Sequence, residues 1–228
     1  MKYDFNIKEL DAHTAIEFIQ DKHYSKVMPK LTKHYLGIYD KDVLAGVLTL
    51  GWGTQPYNTI HKLFPTLESK DYYEIGKMCM DDAMPRNSES QMLSMAVKWL
   101  RENTDIKYLF TWADGIVGKP GYVYQAANFL YGGFIWTQIY ISSKGEKIHP
   151  RSSKRLCEEN VKFKLNIEPD FFKNKKGERI YWLTQDFLDH KGISKIYGKQ
   201  FRYILPLNKN SRKLLAIGFS LVEISAIG

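Results

Sequence analysis

Three short segments of the sequence carry side chains that could take part in acid–base chemistry. The first is His23-Tyr24, which is followed directly by Ser25 and Lys26. Histidine can exchange a proton or bind a metal ion near neutral pH, whereas a tyrosine hydroxyl, with an ordinary pKa of about 10, ionises only with help. Taken alone, a His-Tyr pair at the end of a helix favours a structural role, so this segment needs support from elsewhere in the chain.

The second segment is Asp114, which follows an apolar run over residues 106–112 that is typical of a buried strand. Ligands of α/β proteins bind beyond the carboxyl ends of the strands, so an acidic side chain there is well placed for a site. The next loop contains Gly115, Gly118 and Gly121, which let backbone approach a ligand, but it lacks the Gly-Lys-Ser/Thr ending of a P-loop. An Asx turn is the alternative role for Asp114.

The third segment is the tyrosine-rich run over residues 122–134. Its pattern predicts a helix over residues 123–131 that ends at Gly132-Gly133. Helical spacing would bring Tyr124, Asn128 and Tyr131 onto adjoining faces, so that one side of the helix carries hydroxyl and amide groups. Tyrosine-rich helices usually belong to a core, and packing is the alternative role.

Alternating strands and helices must position these segments. The predicted order is strand, helix, three strands, helix, strand, helix and strand, which indicates an α/β (α+β) protein with a mixed central sheet flanked by helices. Residues 57–69, near two prolines, predict a long surface loop. The predicted strands cover residues 6–10, 35–39, 43–50, 72–80, 106–112 and 134–141, and the first two helices run from an Asp11 N-cap to residue 22 and from a capping box at residues 88–91 to about residue 101.

Charge is distributed unevenly along the 228 residues. Residues 144–213 contain 18 Lys and Arg against 8 Asp and Glu, whereas the rest of the chain contains 15 against 17. We expect one domain in which residues 1–143 form the core and residues 144–228 form a basic extension packed on it. Within the extension we predict a basic helix over residues 152–164 and strands over residues 179–184 and 200–205.

Basic surfaces bind nucleic acid because contacts with phosphates release counterions. We therefore expect Arg151, Lys154, Arg155 and Arg202 to contact nucleic acid, although a solvated lysine-rich surface has the same composition. The first ten residues lack the pattern of a signal peptide, no apolar run is long enough to span a bilayer, and two cysteines imply neither a disulfide framework nor a zinc site. We expect a cytoplasmic protein.

Together the three segments resemble the Mom family. The resemblance lies at His23-Tyr24-Ser25-Lys26, at Ala113-Asp114 and across residues 118–132, which contain Tyr124-Gln125-Ala126 and Asn128, with weaker similarity around residues 74–81, 86–100 and 202–203. It implies a fold like that of the GCN5-related N-acetyltransferases. It also implies conversion of adenine to N6-carbamoylmethyladenine in double-stranded phage DNA, in the host cytoplasm, which shields that DNA from restriction.

On the matching positions, the resemblance implies that His23, Tyr24, Asp114 and Tyr124 are catalytic. Adenine must be flipped out of the duplex before its amino group can react, and Tyr24, Trp52, Trp112 and Tyr131 are available to stack on it. We assign His23 or Asp114 as the base near N6 and Tyr124 as the acid near the leaving group. His23 and Asp114 are also two of the ligand types of a non-haem iron site, although no second histidine is apparent.

The donor of the added group has its own sequence signal. Acetyltransferases of this fold hold the coenzyme A pyrophosphate on a glycine-containing loop at a helix N-terminus. Residues 86–90 contain no glycine, which disfavours acetyl-CoA and favours another acyl or glycyl donor held by Arg86 and Ser88. Ser25, Lys26 and Asn128 complete the predicted substrate-binding set. Two alternatives remain: an acetyltransferase acting on RNA or a small amine, and a non-catalytic DNA-binding factor.

Overall fold

Apolar runs of the sequence form strands and amphipathic runs form helices, as their spacing dictates. The computed structural model describes residues 4–25, 27–53, 55–145, 147–148, 155–156, 171–173, 175, 177 and 179–213. In chain order the elements are β1 (Phe5–Glu9), α1 (Ala12–Lys22), β2 (Thr32–Asp40), β3 (Val43–Gly51), a π-helical turn (Tyr57–His61), β4 (Tyr72–Met80), α2 (Ser88–Asn103), β5 (Tyr108–Asp114), a 3-10 turn (Gly115–Val117), α3 (Tyr122–Ala126), β6 (Leu130–Ile141), β7 (Lys147–Ile148), β8 (Arg155–Leu156), β9 (Phe171–Lys173), β10 (Arg179–Trp182), α4 (Gln185–His190) and β11 (Ser194–Pro206).

The main sheet contains eight strands in the order β1-β2-β3-β4-β5-β11-β6-β7, and β8, β10 and β9 form a small second sheet. Neighbouring strands of the main sheet are antiparallel except β4 and β5, which are parallel. Helices cover both faces: α1 buries Ala15 and Ile19 against Val47, whereas α2 joins the cluster that contains Leu48. Val47 and Leu48 are successive residues of β3, so they point to opposite faces of the sheet, and the two helices must lie on different faces. The predicted mixed sheet flanked by helices is therefore confirmed.

Strands β4 and β5 are hydrogen-bonded to each other only over their first three residues. Their ladder pairs Tyr72, Tyr73 and Glu74 with Tyr108, Leu109 and Phe110, and it ends there although β4 continues to Met80 and β5 to Asp114. The two strands therefore enclose a wedge that opens toward their carboxyl ends, and Glu74 marks the point where it closes.

A strand from the basic segment lies in the middle of this sheet. Strand β11 inserts between β5 and β6 and pairs with both. The Tyr203 hydroxyl donates to the Pro120 carbonyl at 2.6 Å and accepts from Gln125 Nε2 at 2.8 Å, so β11 holds the loop before α3 as well as α3 itself. The division of the chain after residue 143 stays a prediction, but its second part supplies a strand of the core sheet.

Several predicted elements are confirmed. Asp11 caps α1 by accepting a hydrogen bond from the Thr14 N–H at 3.0 Å. The hairpin β2–β3, the strand β4 and the apolar spacing of α2 also match the sequence patterns, as do β10 and β11 in the basic segment. None of the helices in the described ranges has the length and apolar character that a membrane crossing requires.

The predicted helix over residues 123–131 is wrong beyond Ala126. Asn128 adopts a left-handed φ of 63°, which ends α3, and Phe129 turns inward to pack on Tyr124 at a ring-centroid distance of 5.7 Å. Tyr131 consequently lies on β6, paired with Tyr203 of β11. Strand pairing thus overrides the local helical pattern, and Tyr131 does not share a helix face with Tyr124.

Two smaller predictions are also corrected. Ser88 is not the N-cap of α2: Asn87, with a φ of 74°, precedes the helix, and the buried Ser88 hydroxyl donates to the Pro85 carbonyl at 2.6 Å. The predicted basic helix over residues 152–164 lies mostly outside the described residues, and its described part, Arg155–Leu156, is strand β8 paired with β10.

The predicted surface loop over residues 57–69 contains the π-helical turn, and Ile60 within it is fully buried against Tyr72 and Phe110. We expect Ile60→Ala to lower the free energy of unfolding by about 2–5 kcal/mol, because it leaves a cavity under this turn. Tyr57, three residues earlier, is 74% exposed, so Tyr57→Ala is the control and should change stability little. Denaturant unfolding of both variants checks this. Equal stability of the two would contradict the burial of Ile60.

Candidate active site

A large cleft opens in the wedge between β4 and β5. Its volume is about 1740 Å³, and its walls are β4, the end of β5, the segment after α1, the N-terminus of α2 and the segment leading into α3. The four residues predicted to be catalytic, His23, Tyr24, Asp114 and Tyr124, all line it. These four residues come together because the C-terminal end of α1, the C-terminal end of β5 and the start of α3 all border the wedge.

His23 and Tyr24 form one wall of the cleft where α1 ends. The His23 backbone N–H closes the helix by donating to the Ile19 carbonyl at 2.9 Å. The His23 ring stacks on Tyr24, with 4.3 Å between centroids, and its Nδ1 accepts from the Ser25 N–H at 2.9 Å. The same Nδ1 lies 3.0 Å from the Ser25 carbonyl oxygen, so the backbone of Ser25 sets the orientation of the ring. Lys119 Nζ lies 4.3 Å from the centroid of the Tyr24 ring, at the same wall.

The segment that carries these residues is tied to β4. Lys77 Nζ donates to the Ser25 carbonyl at 2.9 Å. Ser25 is buried and lines the cleft, as predicted for a substrate-binding residue, although its role there stays a prediction. Lys26, also predicted to bind substrate, lies outside the described residues.

Tyr124 and Asp114 lie deeper. Tyr124 is 9% exposed and packs against Phe129 and Tyr203. Burial raises its pKa, and the pKa of Tyr24 is raised by partial burial and by the neighbouring Tyr124. Both hydroxyls are therefore protonated at neutral pH and can act as donors. Asp114 is the buried last residue of β5 and lies opposite Gln200 of β11.

Glu74 is a site residue that the sequence analysis did not single out. It lines the cleft where the β4–β5 ladder ends, and its side chain is almost completely buried. Burial raises its pKa to about 7, while a hydrogen bond from Trp112 Nε1 at 3.0 Å and the nearby Arg202 charge act in the opposite direction. The sequence did contain a signal for Glu74: it is the one charged residue in the first half of a central strand that is otherwise apolar and neutral. A carboxyl that titrates near neutral pH suits proton transfer.

Arg202 does not present its charge to solvent, and its predicted contact with DNA is wrong for the folded protein. The residue is 2% exposed, Nη1 donates to the Gly132 carbonyl at 3.0 Å, and the guanidinium carbon lies 4.8 Å from the centroid of the Trp112 ring. Burial lowers its pKa to about 10, and the charge of Glu74 partly offsets this. Arg202 thus supports Trp112, which in turn holds Glu74.

The remaining predicted residues divide into three groups. Arg86 and Ser88 line the cleft at the N-terminus of α2, where a donor was expected. Asn128 is not among the described lining residues, because its left-handed backbone ends α3 on another side. Arg151 and Lys154 lie outside the described residues, and for Arg155 only its place in β8 is described.

Of the four predicted stacking residues, Tyr24 and Trp112 line the cleft, and Trp52 and Tyr131 are not among its described lining residues. Trp52 instead donates from Nε1 to the Ser69 carbonyl at 2.7 Å. Within the described ranges, no three His, Cys, Asp or Glu side chains cluster closely enough to hold a metal ion. Iron held by His23 and Asp114 is therefore not supported by these side chains.

By structure, this chain is a mixed α/β protein with a cleft where its two parallel strands separate. Residues 4–221 match the Mom protein family, and the chain belongs to that family. The methylcarbamoylase Mom of Escherichia phage Mu is 28% identical to it over 213 residues, which cover 93% of this chain and 79% of the phage Mu protein.

Acetyltransferases are among the solved structures that are similar to this chain. A GNAT family acetyltransferase from Elizabethkingia anophelis with acetyl-CoA bound is 12% identical, covers 90% of this chain and 99% of its own, and superposes with a TM-score of 0.42. A Bacillus subtilis acetyltransferase in complex with CoA is also 12% identical, with coverage of 91% and 100% and a TM-score of 0.44. Because both scores are below 0.5, the fold class rests on the strand order and not on these superpositions.

The buried carboxyl of Glu74 should make stability depend on pH. Its pKa is raised on folding from about 4.5 to about 7, so folding favours the protonated form, and stability from this group is lost as pH rises through 7. Glu74→Gln keeps an acceptor for Trp112 and does not ionise. We expect the variant to be more stable than the parent at pH 8 by about 3 kcal/mol, with the difference shrinking toward pH 5. Thermal unfolding across this range checks it, and a difference independent of pH would contradict the raised pKa.

Proposed function

We propose that this chain is a transferase that converts adenine to N6-carbamoylmethyladenine in double-stranded DNA and so protects phage DNA in the host cytoplasm from restriction. Membership of the Mom protein family and the named activity of the phage Mu relative support it. The observation that carries the proposal is the convergence of His23, Asp114, Tyr124 and Glu74 in one cleft, because the reaction needs both a proton acceptor and a proton donor.

The chemistry explains why both are needed. The lone pair of adenine N6 is delocalised into the ring, so the nitrogen must lose a proton as it bonds to the methylene carbon of the added group. We assign this proton to His23 or Asp114, or to Glu74, whose pKa near 7 matches a base working at neutral pH. The bond between this methylene carbon and the rest of the donor breaks as the bond to N6 forms, and Tyr124, which burial keeps protonated, can supply a proton to the part of the donor that leaves with the electron pair.

The amino group is paired inside duplex DNA, so the base must leave the stack to react. The cleft is large enough for a nucleoside and a donor together, and the Tyr24 ring, 40% exposed at its wall, offers a stacking surface. Lys119 beside that ring adds a positive charge near the path of the DNA backbone. Arg151, Lys154 and Arg155 remain proposed phosphate contacts.

We place the donor at the N-terminus of α2. Helix α2 has 16 residues, and Arg86 and Ser88 lie where it begins. The free N–H groups and the positive end of a helix of this length favour an anionic group there. The absence of glycine over residues 86–90 makes close backbone approach to a pyrophosphate difficult. We therefore propose an acyl or glycyl donor with a phosphate or carboxylate beside Arg86 in preference to acetyl-CoA.

The test is to digest DNA from cells that express the protein and weigh the nucleosides by mass spectrometry. We expect N6-carbamoylmethyl-2′-deoxyadenosine with the native chain, and a decrease of about 100-fold or more in Asp114→Asn and in Tyr124→Phe. Tyr140→Phe is the control for the second variant, because Tyr140 is also a buried tyrosine but is not among the residues that line the cleft. Unmodified DNA with the native chain, or an acetylated amine in its place, would contradict the proposed reaction. Loss of thermal stability that matches the loss of product would make the two residues structural.

A further inference from the structure

Strands β6 and β11 form a long antiparallel ribbon that carries large exposed aromatic side chains. Phe134 and Trp136 of β6 are 42% and 68% exposed, and Tyr197 of β11 is 62% exposed. The register sets Trp136 opposite Lys199 and Tyr197 opposite Gln138, so these side chains share one face of the ribbon. We call Phe134, Trp136, Tyr197, Lys195 and Lys199 the aromatic ridge. Exposed apolar clusters of this kind mark interaction sites.

The charges on the aromatic ridge have one sign. Lys199 Nζ lies 4.3 Å from the centroid of the Phe134 ring, and Lys195 Nζ lies 5.0 Å from that of Tyr197. Strand β6 contains no charged residue, and those of β11 are Lys195, Lys199 and the buried Arg202. Ammonium groups interleaved with exposed rings suit a nucleic acid, whose phosphates attract the former and whose bases stack on the latter.

The aromatic ridge also borders the cleft. Trp136 and Tyr197 both line the cleft, as does Lys119. A duplex that lies along the ribbon therefore has a path by which one base can enter the cleft. Extrusion of that base leaves a gap in the stack, and an exposed indole ring at the rim is the right size and shape to fill it.

We propose that the aromatic ridge is the surface on which duplex DNA docks, that Lys195 and Lys199 contact its phosphates, and that the Trp136 ring enters the stack where the target adenine has left. This inference rests on the proposed function, because it takes DNA as the substrate of the neighbouring cleft.

The electrostatic part is tested by the affinity for a short fluorescein-labelled duplex at several salt concentrations. We expect Lys195→Ala and Lys199→Ala each to flatten the plot of log affinity against log salt by about one unit. Lys8→Ala is a matched control, because Lys8 Nζ lies 5.3 Å from the Tyr39 ring at the other edge of the sheet. It should leave the slope unchanged.

The stacking part is tested with a duplex that contains one abasic site, where the gap already exists. We expect Trp136→Ala to weaken binding to this duplex about tenfold, Trp136→Phe to restore most of the loss, and Tyr39→Ala to have no effect. Salt slopes should stay unchanged in all three, because none removes a charge.

Three outcomes would overturn the inference. If the Lys195, Lys199 and Trp136 variants bind both duplexes as tightly as the native chain, the DNA docks elsewhere. If these variants also still modify adenine in cells, the proposed function is unaffected. A native dimer that dissociates in Trp136→Ala, with unchanged DNA affinity, would make the aromatic ridge a self-association surface. A native chain that neither binds duplex DNA nor modifies adenine would remove the inference and the proposed function together.

Discussion

The separation of β4 from β5 after three paired residues is the constraint on which the rest of the structure depends. Two parallel strands that stay hydrogen-bonded leave no room between them, whereas here the ladder stops at Glu74 and Phe110 and a cleft of about 1740 Å³ takes its place. Because the carboxyl ends of both strands border this gap, the residues that follow them, and the helix N-terminus beyond β4, meet around one space. Strand β11 pairs with the other edge of β5 along residues 108–114 and so holds β5 in place beside the wedge.

Glu74 and Arg202 are two ionisable groups at the closed end of the wedge, and Trp112 contacts both of them. Its indole N–H donates to Glu74, and its ring lies against the Arg202 guanidinium. Burial disfavours the charged form of each group: it raises the pKa of Glu74 to about 7 and lowers that of Arg202 to about 10. Burying these two groups therefore lowers the free energy of unfolding, and in return the site contains a carboxyl that titrates near neutral pH. Such a loss of stability is common at functional sites. An apolar pair would pack without this penalty but could not exchange a proton.

The sequence predicts much of this fold because local signals agree with tertiary packing. Asp11 caps α1 and the spacing in α2 buries one face, as both patterns indicate. Local signals mislead where strand pairing competes: Leu130 and Tyr131 fit a helical pattern but pair with β11. Charge counts mislead in the same way, since they cannot tell that the strand carrying Arg202 is internal. Glu74 escapes notice because its raised pKa arises from a gap between strands that only the folded sheet creates.

The central claim is that the wedge between β4 and β5 receives an adenine extruded from duplex DNA. A crystal structure of the protein bound to a short duplex is the most direct measurement, because it locates the reacting nitrogen. We expect one adenine outside the helical stack, with N6 between β4 and β5 beside Asp114 and Tyr124. A duplex with every base stacked and the wedge filled by solvent, or an extruded base bound away from these residues, would contradict the claim.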